Sequence, residues 1–168
     1  IVLGTQAGND LTSGFNNVFL GTYAADKATT GQQNIIIGDS AGRCKIGADN
    51  ILLGNEAGRG SSTVTDNSGG QNILIGKQSG YVLTTGACNI ALGCGAGKAV
   101  TTGNDNIMIG CLAGCSMSNG ADNIFLGNKS GRDTSTVAKK NLFLGDFAGY
   151  TNTTGCCNVA IGREVTLP

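Results

Sequence analysis

Seven cysteines are the residues of this chain best equipped for chemistry: Cys44, Cys88, Cys94, Cys111, Cys115, Cys156 and Cys157. Disulfide formation, thiol exchange and metal ligation are the reactions open to them. Cys94 and Cys111 lie 17 residues apart, one period of the repeat described below, so in stacked coils their Cα atoms would sit roughly 5 Å apart, within the range a disulfide bridges. They form the candidate disulfide; the odd count and the lack of other paired columns argue against a disulfide framework. A zinc site needs converging His and Cys ligands, and the chain has no histidine and no Cys-x-x-Cys pair. No metal is expected.

Other chemistry is equally sparse. The stretch Gly93–Lys98 (GCGAGK) echoes the end of a phosphate-binding loop, but Leu92 stands where its first glycine belongs and Ala99 where Ser or Thr should follow. Asn128 and Asn152 open two glycosylation sequons, which a chain this rich in Asn and Thr contains by chance. Without histidine, and with its acidic residues dispersed, the chain pairs no nucleophile with a base. Asp39 and Asp146 share a repeat position but lie many repeats apart. The expectation is a protein that is not an enzyme and holds no cofactor.

What positions these residues is a repeat. A glycine follows an apolar triplet at Gly4, Gly21, Gly38, Gly54, Gly76, Gly93, Gly110, Gly127, Gly145 and Gly162, in steps of 17, 17, 16, 22, 17, 17, 17, 18 and 17 residues. A short fixed period is the signature of a solenoid, whose coils bury apolar surface only by stacking on their neighbours. The 29 glycines follow this period, which separates the chain from low-complexity disorder. Eleven basic and eleven acidic residues cancel and form no run, so nucleic acid and anionic membranes are poor partners. No apolar stretch approaches the roughly 20 residues that span a bilayer. The whole span, residues 1–168, reads as one repeat domain that forms a segment of a longer chain.

Within a coil, Asn is position zero: Asn17, Asn34, Asn50, Asn72, Asn89, Asn106, Asn123, Asn141 and Asn158. Stacked in register about 4.8 Å apart, these amides can bond along the column as an asparagine ladder. The next three residues read as a short β-strand bounded by Asn and Gly. Its first and third residues, such as Ile35 and Ile37 or Ile107 and Ile109, share one face and are expected to form the interior. The middle residue then points outward. It is apolar in all ten copies, including Phe19, Ile36, Leu52, Leu74, Met108, Phe125 and Phe143, with Val2, Ala91 and Ala160 completing the column. An outward apolar stripe predicts a partner surface. The simplest partner is the same chain around a closed axis, with these residues as the interface of a homotrimer.

A small pair such as Ala41-Gly42 or Ala113-Gly114 closes the corner of each coil, and a Thr-Thr-Gly step, as at Thr84-Thr85-Gly86, leads to the next. Five extra residues enter within Arg59–Gly70 and one near Asp133–Lys140. Such insertions map to outer loops, which could meet a cell-surface glycan or receptor.

The Asn-hydrophobic-x-hydrophobic-Gly-x-x-Ala-Gly arrays resemble the head repeats of YadA-like trimeric autotransporter adhesins. They are still more similar to related arrays in bacteriophage tail fibres and other appendage proteins, and the similarity covers essentially the whole chain. It implies a left-handed parallel β-roll, a homotrimer, and a place outside the cell or on a virion surface. The coil here is longer than the adhesin unit and carries bulky Phe and Met where that family favours Ala.

The combined expectation is an all-β protein, a parallel β-solenoid of about ten 17-residue coils, serving as the structural shaft of a fibre that supports attachment. Two alternatives are an ice- or carbohydrate-binding solenoid using its threonine face, and a subunit of a self-assembling filament or sheath. The threonine column is interrupted at Lys45-Ile46, Asn67-Ser68, Ser118-Asn119 and Thr136-Val137.

Overall fold

The computed structural model describes all residues except 46, 63–66, 135–136, 152–154 and 167–168. Each strand lies on one apolar triplet, spanning all three residues except in β1, which has two. They are β1 (Val2–Leu3), β2 (Val18–Leu20), β3 (Ile35–Ile37), β4 (Ile51–Leu53), β5 (Ile73–Ile75), β6 (Ile90–Leu92), β7 (Ile107–Ile109), β8 (Ile124–Leu126), β9 (Leu142–Leu144) and β10 (Val159–Ile161). They form one ten-stranded sheet in sequence order, every neighbour parallel and in register, as in Met108 opposite Phe125 and Phe125 opposite Phe143. The chain is thus an all-β parallel solenoid of about nine turns, without a helix among the described residues.

A three-residue strand stays short because its flanking turns are fixed by backbone geometry. After β7, Ala113 N–H donates to Gly110 C=O at 3.3 Å and Met117 N–H to Gly114 C=O at 3.3 Å, which makes two successive tight turns. Gly110 has φ +135°, and a Cβ there would collide with the Gly127 carbonyl oxygen of the next coil. Only glycine satisfies both the dihedral and the stacking distance.

The interior is the reverse of the sequence expectation. The middle residues Phe19, Leu52, Phe125 and Phe143 are fully buried, and Ile36, Leu74 and Met108 nearly so, all inside a single chain. They are the core and offer no surface to a partner. The flanking residues face out: Ile35, Ile37, Ile75, Ile109 and Leu144 are 37–42 % exposed. Alternation fixes that residues one and three oppose residue two, but both faces of this strand are apolar, so hydropathy alone does not say which is inside. The lumen decides. It is shared by the strand's middle residue, the Ala or Ser of the small pair, and a further apolar column of Leu11, Ala28, Leu83, Val100 and Met117. That leaves room for one large strand side chain per coil, and the Phe125 and Phe143 rings stack at 5.1 Å.

The asparagines line the same interior. From Asn34 to Asn158 each side-chain Nδ2 donates to the preceding Asn Oδ1, at 2.9–3.2 Å. The same Oδ1 also accepts the backbone N–H of the next asparagine, as Asn106 Oδ1 does from Asn123 at 3.1 Å. Asn106 Nδ2 also reaches Gly120 C=O, three residues before Asn123 in the next coil, at 2.9 Å. Each such amide therefore ties its own strand to the coils before and after it, with its buried polar atoms satisfied.

Candidate functional site

Twenty side chains, two from each apolar triplet, cover the outer face of the sheet, and all are Ile, Leu or Val. The strands place them: positions one and three point away from the lumen at every level, and register stacks them into two straight columns. At about 4.8 Å per coil the face runs for roughly 45 Å, and the columns stand about 7 Å apart. No charged or polar side chain interrupts either column. Soluble monomers rarely leave such a contiguous apolar patch in water.

The face has polar edges. Before β6 stands Cys88 and after it Cys94, both exposed. The edge preceding the Asn column carries residues with positive φ, among them Asp49, Cys88, Asp105, Asp122 and Lys140. A third surface, beyond the first turn, holds charges and rings: Arg43 bonds Asp26 at 3.4 Å, Lys27 bonds Asp10 at 3.1 Å, and Arg59 and Lys98 flank the Tyr81 ring at 5.4 and 5.8 Å. Arg132 lies 5.4 Å from the Tyr150 ring centre and donates to its hydroxyl at 2.8 Å. These cations are engaged between coils.

The other sequence candidates fall as follows. Cys94 and Cys111 occupy neighbouring coils as expected, but both are free thiols and no bond joins them. Cys44 is buried, and desolvation pushes its thiol pKa up. In GCGAGK, the amides of Gly93, Gly95, Ala96, Gly97 and Lys98 all donate to carbonyls of their own or adjacent coils, which leaves no phosphate cradle. Asn128 donates to Asp146 at 2.9 Å, and the serine of its sequon, Ser130, is buried and donates to Phe143 C=O at 3.1 Å. Asn152 lies outside the described residues, as do parts of both insertions. Among the described residues, no group of three or more His, Cys, Asp or Glu is placed to hold a metal ion, and no helix is long and apolar enough to cross a membrane. Threonine hydroxyls bridge coils: Thr84 donates to Thr101 C=O at 3.0 Å, and Thr101 and Thr102 both donate to Asn119 Oδ1 at 2.9 Å.

Sequence reasoning missed Lys45. It occupies the core column of Leu83 and Val100, is 1 % exposed, and extends past the insertion-bearing coil to donate to Thr84 C=O at 3.4 Å. Burial pushes its pKa down to about 7. Its spacing from Asn34, equal to that of Leu83 from Asn72, was the available signal.

Comparison of the chain with protein-family models, curated proteins and solved structures finds no match.

Proposed function

We propose that this chain is a structural shaft segment of an extracellular or virion fibre that supports attachment, built from three copies associated through the outer face of the sheet. The observation that carries this reading is that face: twenty aliphatic side chains in two unbroken columns along the whole solenoid. A partner must match a straight repeat of about 4.8 Å, and a second copy of the chain does so at every coil. Around a three-fold axis parallel to the solenoid, the column of third residues on one copy packs on the column of first residues on the next. Both columns of every copy are then covered, and the ring is closed. The interface is formed by Ile35, Ile37, Ile75, Ile109 and their equivalents, in place of the middle residues that fill the lumen.

Stiffness follows from the ladder and the register, since bending the rod would stretch hydrogen bonds in every coil it crosses. The hydroxyls of the threonine column already bond between coils, which favours a shaft over a threonine binding face. Small-angle X-ray scattering tests the reading. A rod whose cross-section holds three solenoids is expected, and a profile of one thin solenoid would overturn it.

A further inference from the structure

We propose that the copies lie parallel and in register, so that Cys88 of one copy meets Cys94 of the next and the two form an interchain disulfide; this rests on the self-association proposed above. The two cysteines flank the apolar face at one level. Cys88 immediately precedes Asn89 on one edge, Cys94 immediately follows Gly93 on the other, and both are exposed free thiols. The six steps from Cys88 to Cys94 climb about a third of a coil, roughly 1.7 Å, so the two thiols stand at nearly the same height.

Within one chain they are separated by the full width of the face. Rotation about an axis parallel to the solenoid changes that. Every copy then runs in the same sense around the ring, and the edge after the strand on one copy borders the edge before the strand on its neighbour.

One further level supports this register, and no level sets like charges together. Paired level by level, the same rule sets Lys140 against Asp146, Gln71 against Lys77, Asp49 against Asn55 and Asp122 against Asn128. In the nine levels from Asn16 to Arg163, the one with two charges has opposite signs, and the one with two cysteines is Cys88 with Cys94. Charge complementarity of this kind fixes register. An antiparallel pair would place like edges together, and Cys88 would never meet Cys94.

The bond forms by exchange with a small-molecule disulfide such as oxidised glutathione. The Cys94 thiolate attacks it, giving a mixed disulfide and releasing one small thiol. The Cys88 thiolate of the next copy then attacks the Cys94 sulfur and releases the second. Two cysteine thiols are oxidised, one disulfide is reduced, and the two protons leave on the released thiols.

The test is electrophoresis under denaturing, non-reducing conditions of the whole chain incubated with oxidised glutathione, beside its native mass by light scattering. A covalent ring of three chains is expected for the wild type and for Cys111→Ser, collapsing to single chains on reduction. It should vanish in both Cys88→Ser and Cys94→Ser. Cross-links that survive either single change, or a native oligomer that never cross-links, would overturn the parallel register while leaving self-association standing. A native mass of one chain would remove the self-association and this proposal with it.

Discussion

Replacing Asn106 with alanine removes one rung of the ladder, and the structure says what is lost. The Asn106 side chain is fully buried. It donates to Asn89 Oδ1, Asn104 C=O and Gly120 C=O, each at 2.9 Å, and accepts from Asn123 N–H at 3.1 Å and Asn123 Nδ2 at 3.0 Å. Some groups keep partners: Asn89 Oδ1 retains the Asn106 backbone N–H at 3.1 Å, and Asn123 Nδ2 retains Ala138 C=O at 2.9 Å. Two buried groups lose theirs, the Asn123 N–H and the Gly120 C=O. At about 1–3 kcal/mol for each buried group left unsatisfied, Asn106→Ala should destabilise by about 2–6 kcal/mol. Because coils unfold with their neighbours, the effect belongs first to the seventh and eighth coils. Hydrogen exchange should show faster exchange of the Asn123 and Ile124 amides, and denaturant unfolding a lowered midpoint. Asn128→Ala is the control, since that exposed amide makes one surface bond to Asp146 and should change stability by less than about 0.5 kcal/mol. Equal, small effects at both positions would refute the idea that the ladder holds the stack.

Three further outcomes follow from particular contacts. Gly110→Ala should unfold its coil or drive the chain into aggregates, because the new Cβ would collide with the Gly127 carbonyl oxygen; a soluble variant with the wild-type circular dichroism melt would contradict this. Phe125→Ala empties a fully buried site stacked on Phe143 and should cost about 3–5 kcal/mol in denaturant unfolding, whereas an outward-facing residue whose loss leaves each copy folded should not. Lys45 has a folded-state pKa of about 7 against an ordinary 10.5, so between those values the unfolded chain binds the proton and the folded chain does not. Stability should therefore rise with pH across that window, by about tenfold in the folding constant per unit, and level off below about pH 7. Lys45→Met should flatten the slope, and an unchanged slope in the variant would show that another group titrates.

The coils, strands, turns and ladder are legible in the sequence because each rests on a local rule: the Gly period, the Asn column and β-branched triplets between them. The direction of the triplet is harder to read. Residues one and three of an Ile-Phe-Leu strand are as apolar as residue two, so counting apolar groups puts the larger number inside, and the structure puts them outside. The ladder holds the correct cue. A buried asparagine at position zero shares its face with position two, as Asn123 does with Phe125 and Asn72 with Leu74. The column of Leu83, Val100 and Met117 points to the same face from the far wall. Lys45 is hidden because a charged residue at a core position runs against composition, and only its spacing marks it. The pairing of Cys88 with Cys94 depends on which edges border the outward face, so it becomes readable only once that face is known.

Whether the outer face joins copies of this chain is decided by the native mass from light scattering of the wild type beside Ile75→Asp with Ile109→Asp. Both residues are 38 % exposed and outside the core, so each copy should keep its fold by circular dichroism. A wild-type mass of three chains that falls to one folded chain in the double variant is the predicted result. A wild type that is itself a soluble single chain, or a variant that keeps the mass of three, would contradict assembly through this face.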